Sequence, residues 1–471
     1  MKRTLSLMLA ALLLAGCTSP AAGTGEGEAV KANADSGTGG AFSPRPVLRT
    51  LAEPIYPEFP QQPVMPQEGG AEEWEAYREA REKYTDALAA VRGENSGLST
   101  EGVSSLNAFA ARSTRLILEG HEGENAICSP LSLWSALALL AQCAGGDSRR
   151  QVLEAVGADS VEQLQEAVSH VWQTLYTDDG QSSLILANSI WLNGNLRGSY
   201  VQGTLDALAE KYYAGAYSLP MGTGEANRAV TAWVKEQTRG LIGGDRPVVE
   251  TKPETLALLV SSLYYKAAWQ NEFMPGRTEI DTFTDAAGQE TKVDFMHRTE
   301  NANFIRRDGY QAASLSTHLG EMVFVLPDEG VTPESLLKNP EFLFSLEFSG
   351  KTAIWGEVRW SVPKFDVNSD LNLLEALADL GITDLLNRDK ADLSALTDLD
   401  AFVSEAKQLA RVKVDEEGVE AAAVTILSVK NLNLPPQSTE VCVMDLDRPF
   451  LFVIRAEGVP LFVGIVNQVQ A

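Results

Sequence analysis

Asn125-Ala126-Ile127-Cys128-Ser129-Pro130-Leu131-Ser132 joins a short apolar run to a helix start. Pro130 suits a first helical turn, where no backbone N–H is needed, and the Ser129 hydroxyl can accept from one of the freed N–H groups. The helical pattern runs from Ser132 to Cys143, through Ala136-Leu137-Ala138, and Gly145-Gly146 lies beyond it. Upstream, Val103 to Leu118 has the same period; downstream, Leu184 to Leu192 and Leu256 to Tyr265 read as strands. Phe450 to Arg455 and Leu461 to Val466, parted by a polar turn, predict a buried antiparallel pair. The class is mixed α and β, and 471 residues fit one large domain with an appendage.

The appendage is N-terminal. Lys2 and Arg3 precede an apolar run from Leu5 to Leu14, and Leu14-Ala15-Gly16-Cys17 follows, so residues 1–16 read as a signal peptide. The run is too short for a confident membrane span, and no run of 18 or more apolar residues occurs elsewhere. Residues 17–50, rich in Gly, Ala, Ser and Thr, have the composition of a flexible tether. Residues 51–97 form a third segment. Pro54, Pro57, Pro60, Pro63 and Pro66 recur at the three-residue period of polyproline II. Ile55, Tyr56, Phe59, Val64 and Met65 between them are either solvated spacers or contacts to the globular body. From Ala71 to Val91, Trp74, Tyr77, Tyr84, Leu88 and Val91 share one helical face, and Gly93 marks its end.

The formal charge is −26, and loss of Lys2 and Arg3 would take it to −28. Such a surface lacks the cations that neutralise phosphates, which disfavours nucleic acid as a partner. Besides Cys17 there are Cys128, Cys143 and Cys442, an odd number without a C-x-x-C pair, so no zinc site or disulfide framework is signalled. Buried thiols are expected; a Cys128–Cys143 bridge would need two residues in or beside one helix to meet. His121, His170, His297 and His318 form no H-E-x-x-H motif, and no G-x-S-x-G is present. Neither a catalytic residue, nor a metal, nor a cofactor is expected.

Glu416-Glu417-Gly418-Val419-Glu420-Ala421-Ala422-Ala423-Val424-Thr425 is ambiguous on composition alone. Glu and Ala favour an exposed helix end, whereas the residues after Val424 turn β-prone. If the stretch were a strand, Val419, Ala421, Ala423, Thr425, Leu427 and Val429 would share a face free of charge, with Glu420 and Lys430 on the other. Gly418 permits a bend before it.

Several motifs, taken in chain order, resemble the serpin family: the Asn125–Ser132 segment; Trp233-Val234 with Thr238 and Gly240; Tyr264-Tyr265-Lys266 with Trp269; Val362-Pro363-Lys364-Phe365; Leu380-Gly381-Ile382; Ala391-Asp392-Leu393-Ser394; and Arg448-Pro449-Phe450-Leu451-Phe452. The resemblance covers residues 98–471. It implies an α+β fold of three β-sheets and eight or nine helices with an exposed reactive loop, whose hinge is Glu416–Thr425. The activity implied is suicide inhibition of a serine protease: the enzyme is trapped as an acyl-enzyme when the cleaved loop inserts into the central sheet. The resemblance further implies a reactive bond about fourteen residues beyond Gly418, between Leu432 and Asn433, give or take one residue. Leucine there suits a chymotrypsin-like or subtilisin-like protease, with a cysteine protease also open, while Lys430 invites a trypsin-like enzyme. Trp269 and the pair Lys364–Glu416 are placed where insertion begins. Ser261 and Gln408 stand where the family has Asn and His, and are expected to form a polar cluster with Ser129 and Ser132. Val419 replaces the usual Thr or Ser, and neither charge nor proline blocks insertion there.

The ending at Cys17 resembles the lipobox of bacterial lipoproteins. It implies cleavage before Cys17, lipid on its thiol, and a monomer held by a membrane on the extracellular face of the cell envelope. The competing reading is a non-inhibitory serpin serving as an envelope binding or scaffold protein.

Overall fold

The computed structural model describes residues 8–16, 48–58, 60, 63, 66, 70–92, 98–179, 182–244, 246–419 and 439–470. Cys17, Glu420 to Thr425 and the Leu432–Asn433 bond lie outside them.

Two nine-stranded sheets carry the fold. The central sheet contains β1 (Met8–Gly16), β2 (Arg49–Ala52), β4 (Thr177–Asp178), β5 (Ser183–Asn193), β6 (Ala214–Leu219), β7 (Thr255–Ala268), β13 (Phe365–Asn372), β14 (Ala401–Val414) and β15 (Gly418–Val419). Its order is β13–β14, then β1 and β15 sharing one gap, then β7–β5–β6–β2, with β4 on β5. The second sheet contains β3 (Ala126–Cys128), β8 (Thr278–Thr284), β9 (Glu290–Arg307), β10 (Tyr310–Ser316), β11 (Glu321–Pro327), β12 (Ile354–Pro363), β16 (Val441–Asp445), β17 (Phe450–Ala456) and β18 (Val459–Val466). The three sheets implied by the resemblance become two ladders because β9, 18 residues long, pairs with β8 and β12 along one stretch and β10 along another. The expected C-terminal pair is β17 against β18, antiparallel from Phe450↔Val466.

Nine α-helices occur among the described residues: α1 (Ala71–Arg92), α2 (Thr100–Leu118), α3 (Pro130–Cys143), α4 (Gly146–Val156), α5 (Val161–Leu175), α6 (Gln202–Lys211), α7 (Gly224–Gln237), α8 (Pro333–Leu337) and α9 (Leu374–Asp379). The start of α3 follows from its sequence: Pro130 occupies the first turn and Ser132 N–H donates to the Ser129 hydroxyl at 3.2 Å. Every residue of α3 except Gln142 is buried, so the helix is apolar all round and is clasped between the sheets. Each of Leu133, Leu137 and Leu140 taken from water contributes about 1.5–3 kcal/mol. All of β5, and β7 as far as Tyr265, are buried, which explains their largely apolar runs, interrupted only by the small polar pairs Asn188-Ser189 and Ser261-Ser262.

Among the described residues, Cys128, Cys143 and Cys442 are free and buried. Burial pushes the thiols of Cys128 and Cys143 up to about 12 and that of Cys442 to about 11.

The described part of the proline-rich segment docks, while Phe59, Val64 and Met65 lie outside the described residues. Pro54, Pro57, Pro60, Pro63 and Pro66 are each partly covered, whereas Glu53, Ile55, Tyr56 and Glu58 are exposed. A three-residue turn puts the prolines on one edge, and that edge faces the body. In α1, Tyr77, Tyr84, Leu88 and Val91 are partly covered as the pattern requires; Trp74 is exposed, its ring edge-on to Tyr77 at 6.0 Å.

Candidate functional site

The site is a gap between two strands and the turn that feeds it. β14 leaves the sheet at Val414, turns through Asp415, Glu416 and Glu417, and re-enters as Gly418 and Val419. Asp415 N–H donates to the Gly418 carbonyl at 3.1 Å, and the Asp415 carboxylate accepts from Glu417 N–H at 3.2 Å. Gly418 pairs with Ala268 of β7, and Val419 stands between Ala267 and Val414. The first two residues after the turn therefore already lie in the sheet, and Val419 is 3% exposed.

Gly418 is required for a reason other than bending. It is absent from the positive-φ glycines, but a Cβ built on it would lie 2.3 Å from the Ala267 carbonyl and 2.7 Å from the Ala268 Cα. Glycine lets two backbones approach.

The turn is latched on three sides. The indole N–H of Trp269, a residue 1% exposed, donates to the Asp415 carbonyl at 2.9 Å, and Trp269 N–H donates to the Glu417 carbonyl at 3.0 Å. Phe273 N–H donates to the Glu416 carbonyl at 3.0 Å. The Glu416 carboxylate accepts from Thr278 Oγ1 at 2.9 Å and lies 3.1 Å from Lys364 Nζ. Burial pushes this carboxyl up, but backbone hydrogen bonding, the bonds from Lys364 and Thr278 and the Lys364 charge together hold it below its ordinary value. The predicted Trp269, Lys364 and Glu416 thus meet. Asp415, Phe273 and Thr278 were not anticipated; the acidic run ending in Gly418 carried a signal for the Asp415 turn.

Lower in the gap lies the polar cluster. Gln408, fully buried, accepts from Ser129 N–H at 2.8 Å and donates to the Ser129 carbonyl at 2.9 Å. The Ser129 hydroxyl donates to the Leu461 carbonyl at 2.8 Å, and the Ser132 hydroxyl to the Ser261 carbonyl at 3.1 Å. The four expected residues come together, with Ser261 entering through its main chain. A helix cap, two strands of the central sheet and one of the second sheet are tied at this point.

Below the re-entry, β1 fills the gap. It is antiparallel to both walls, from Met8↔Leu263 and Leu9↔Leu409 to Ala15↔Thr255 and Gly16↔Ala401. Of the stretch read as a leader, residues 8–16 form a strand of the central sheet.

Among the described residues no group of three or more His, Cys, Asp or Glu is arranged to hold a metal ion, and no helix is long and apolar enough to cross a membrane.

A family model described as serpin (serine protease inhibitor) matches residues 104–469. The chain belongs to the serpin family. Serpins are in general protease inhibitors rather than enzymes. This serpin is 32% identical to serpin-Z2B of Triticum aestivum over 386 residues, covering 76% of this chain and 94% of the relative. It is 29% identical to alpha-1-antiproteinase of Rattus norvegicus, covering 77% and 87%. The native-state structure of tengpin, a thermophilic serpin, superposes with a TM-score of 0.69 at 27% identity over 79% of this chain and 95% of tengpin. Thyroxine-binding globulin in complex with thyroxine superposes at 0.66 with 25% identity over 78% and 99%.

Proposed function

We propose that this serpin is a single-use inhibitor of a serine protease, held by lipid at Cys17 on the extracellular face of the cell envelope. The observation that carries the reading is the gap between β14 and β7: it admits a whole strand, and the hinge has already entered its top. In the register of Gly418 and Val419, each step along the loop descends one residue of β7. Ala423 would meet Leu263 and Thr425 would meet Ser261, rungs held by Met8 and Ala10. Cleavage before Cys17 would remove that occupant and leave the rungs to the loop. Val419, Ala421, Ala423, Thr425, Leu427 and Val429 would then face inward, as Val419 does, and none is charged.

The chemistry is the protease's own. Its acyl-enzyme forms on the Leu432 carbonyl, and insertion drags the enzyme before water can complete hydrolysis. Leu432 would finish opposite Glu254, at the far end of β7. Chain processed at Cys17, mixed with chymotrypsin-like, subtilisin-like, trypsin-like and cysteine proteases, yields an SDS-resistant adduct with at least one. Mass spectrometry of the released C-terminal peptide fixes the bond. Proteases that cut the loop and remain active transfer the case to the binding reading, which the likeness to a thyroxine-binding serpin favours.

A further inference from the structure

The described residues between Arg49 and Pro66 are a clasp, and where it holds the chain has a consequence for the loop. β2 pairs with the outer edge of β6, Arg49↔Ser218, Thr50↔Tyr217 and Ala52↔Ala216. Ile55 N–H donates to the Ala209 carbonyl of α6 at 3.0 Å. The Tyr56 ring stacks on Trp172 of α5, centroids 5.2 Å apart and planes at 17°, and lies 6.1 Å from the ring of Tyr213. Beyond it the proline edge runs over the body. A polyproline II segment has no internal hydrogen bonds to satisfy and is stiff before it docks, so ordering it costs little entropy.

The rungs locate the clasp. Ser218 pairs with Leu192, and Leu192 with Ala257, near the start of β7; the loop hinge at Gly418 pairs with Ala268, near its end. Arg49 therefore enters the body eleven rungs from the hinge. We propose that the clasp fixes the point at which the N-terminal tether leaves the body, at the pole of the central sheet opposite the reactive loop. Without it, in chain processed at Cys17, the first fixed point would be α1, which packs against α5. A body attached through its N-terminus then presents the loop away from the attached surface. The biological use rests on the tethered reading above, but neither readout below needs natural lipidation or trapping.

At about 3.3 Å per rung and about 4.8 Å per strand spacing, eleven rungs and four strand spacings separate residue 49 from the hinge by about 40 Å. Spin labels go on Leu48→Cys and Asn271→Cys in full-length chain carrying Cys17→Ser; the three buried thiols stay unlabelled. We expect a narrow distance distribution near 40 Å, and a broad one in Ile55→Pro/Tyr56→Ala, which deletes the hydrogen-bond donor and the stacked ring. A distribution equally broad in both chains, or centred well below 30 Å in the parent, overturns the proposal. In a second arm, chain beginning at Cys17, and so without β1, is coupled through the Cys17 thiol to a maleimide lipid in phosphatidylcholine vesicles, and loop cleavage by subtilisin is timed on vesicles and in solution. The ratio of rates stays near one with the clasp intact and falls at least threefold in the double variant; equal ratios overturn the orienting role.

Discussion

Replacing Gln408 by Leu tests the polar cluster most directly. The side chains are close in volume, so the change removes two hydrogen bonds without opening a large cavity. The two Ser129 atoms respond differently. The Ser129 carbonyl keeps Leu133 N–H as a partner at 3.1 Å, so it loses one of two bonds, worth about 0.5–1.5 kcal/mol. The Ser129 N–H has only Gln408 among the hydrogen bonds described, and an orphaned buried donor costs about 1–3 kcal/mol. Added burial of apolar surface returns part of this, leaving a loss of about 1–4 kcal/mol. Urea unfolding followed by tryptophan fluorescence measures it in the first transition, since two-state behaviour is not guaranteed in a domain of this size. Because Gln408 ties β14 to the α3 cap, the variant also inserts its loop more readily and loses inhibitory activity faster on warming. An unfolding midpoint and inhibition both equal to the parent's would refute the claim that these four residues form a stabilising cluster.

Gly418→Ala forces a methyl against the Ala267 carbonyl, so Gly418 and Val419 leave the sheet; amide exchange at Ala267 and Trp269 rises, with no change at Leu258. Val419→Arg places a charge at a position 3% exposed between two walls; protease then cuts the loop and departs active, and the number of inhibitor molecules consumed per enzyme trapped rises at least tenfold. The Glu416 latch depends on pH with a definite sign. Its folded value is depressed, so its stabilisation is complete above the unfolded value of about 4.3 and is lost as pH falls through the folded value. Spontaneous loss of activity should be flat from about pH 5 to 8 and accelerate below about pH 4, and Glu416→Gln, with its fast rate at neutral pH, should show no such step. Lys364, at 36% side-chain exposure, contributes only part of this, so Lys364→Met gives a smaller effect than Glu416→Gln.

What the sequence disclosed was mostly local. The Ser129-Pro130 start of α3 needs nothing beyond its own turn, and the largely apolar runs of β5 and β7 point to their burial on both faces. The meeting of Gln408 with Ser129, 279 positions apart in the chain, came through family likeness rather than pattern. Three features stayed hidden because each depends on a distant surface. The role of Gly418 is set by the carbonyl of Ala267, which no window around the glycine contains. The choice between spacer and docked segment for Pro54–Pro66 was decided by Trp172 and Ala209. The merging of two sheets required knowing that one end of β9 pairs with β12 and the other with β10.

The far anchor of the loop carries a consequence of its own. β14 belongs to one sheet, but β16, where the chain resumes, lies parallel to β12 in the other, through five pairs from Glu357↔Val441 to Ser361↔Asp445. On the proposed mechanism, an uncut loop descending the gap would have to unzip β16 before it could travel far, whereas a severed one would leave that strand behind. These five pairs would then act as a brake on premature self-collapse, and weakening them would shorten the shelf life of the intact molecule without touching the gap.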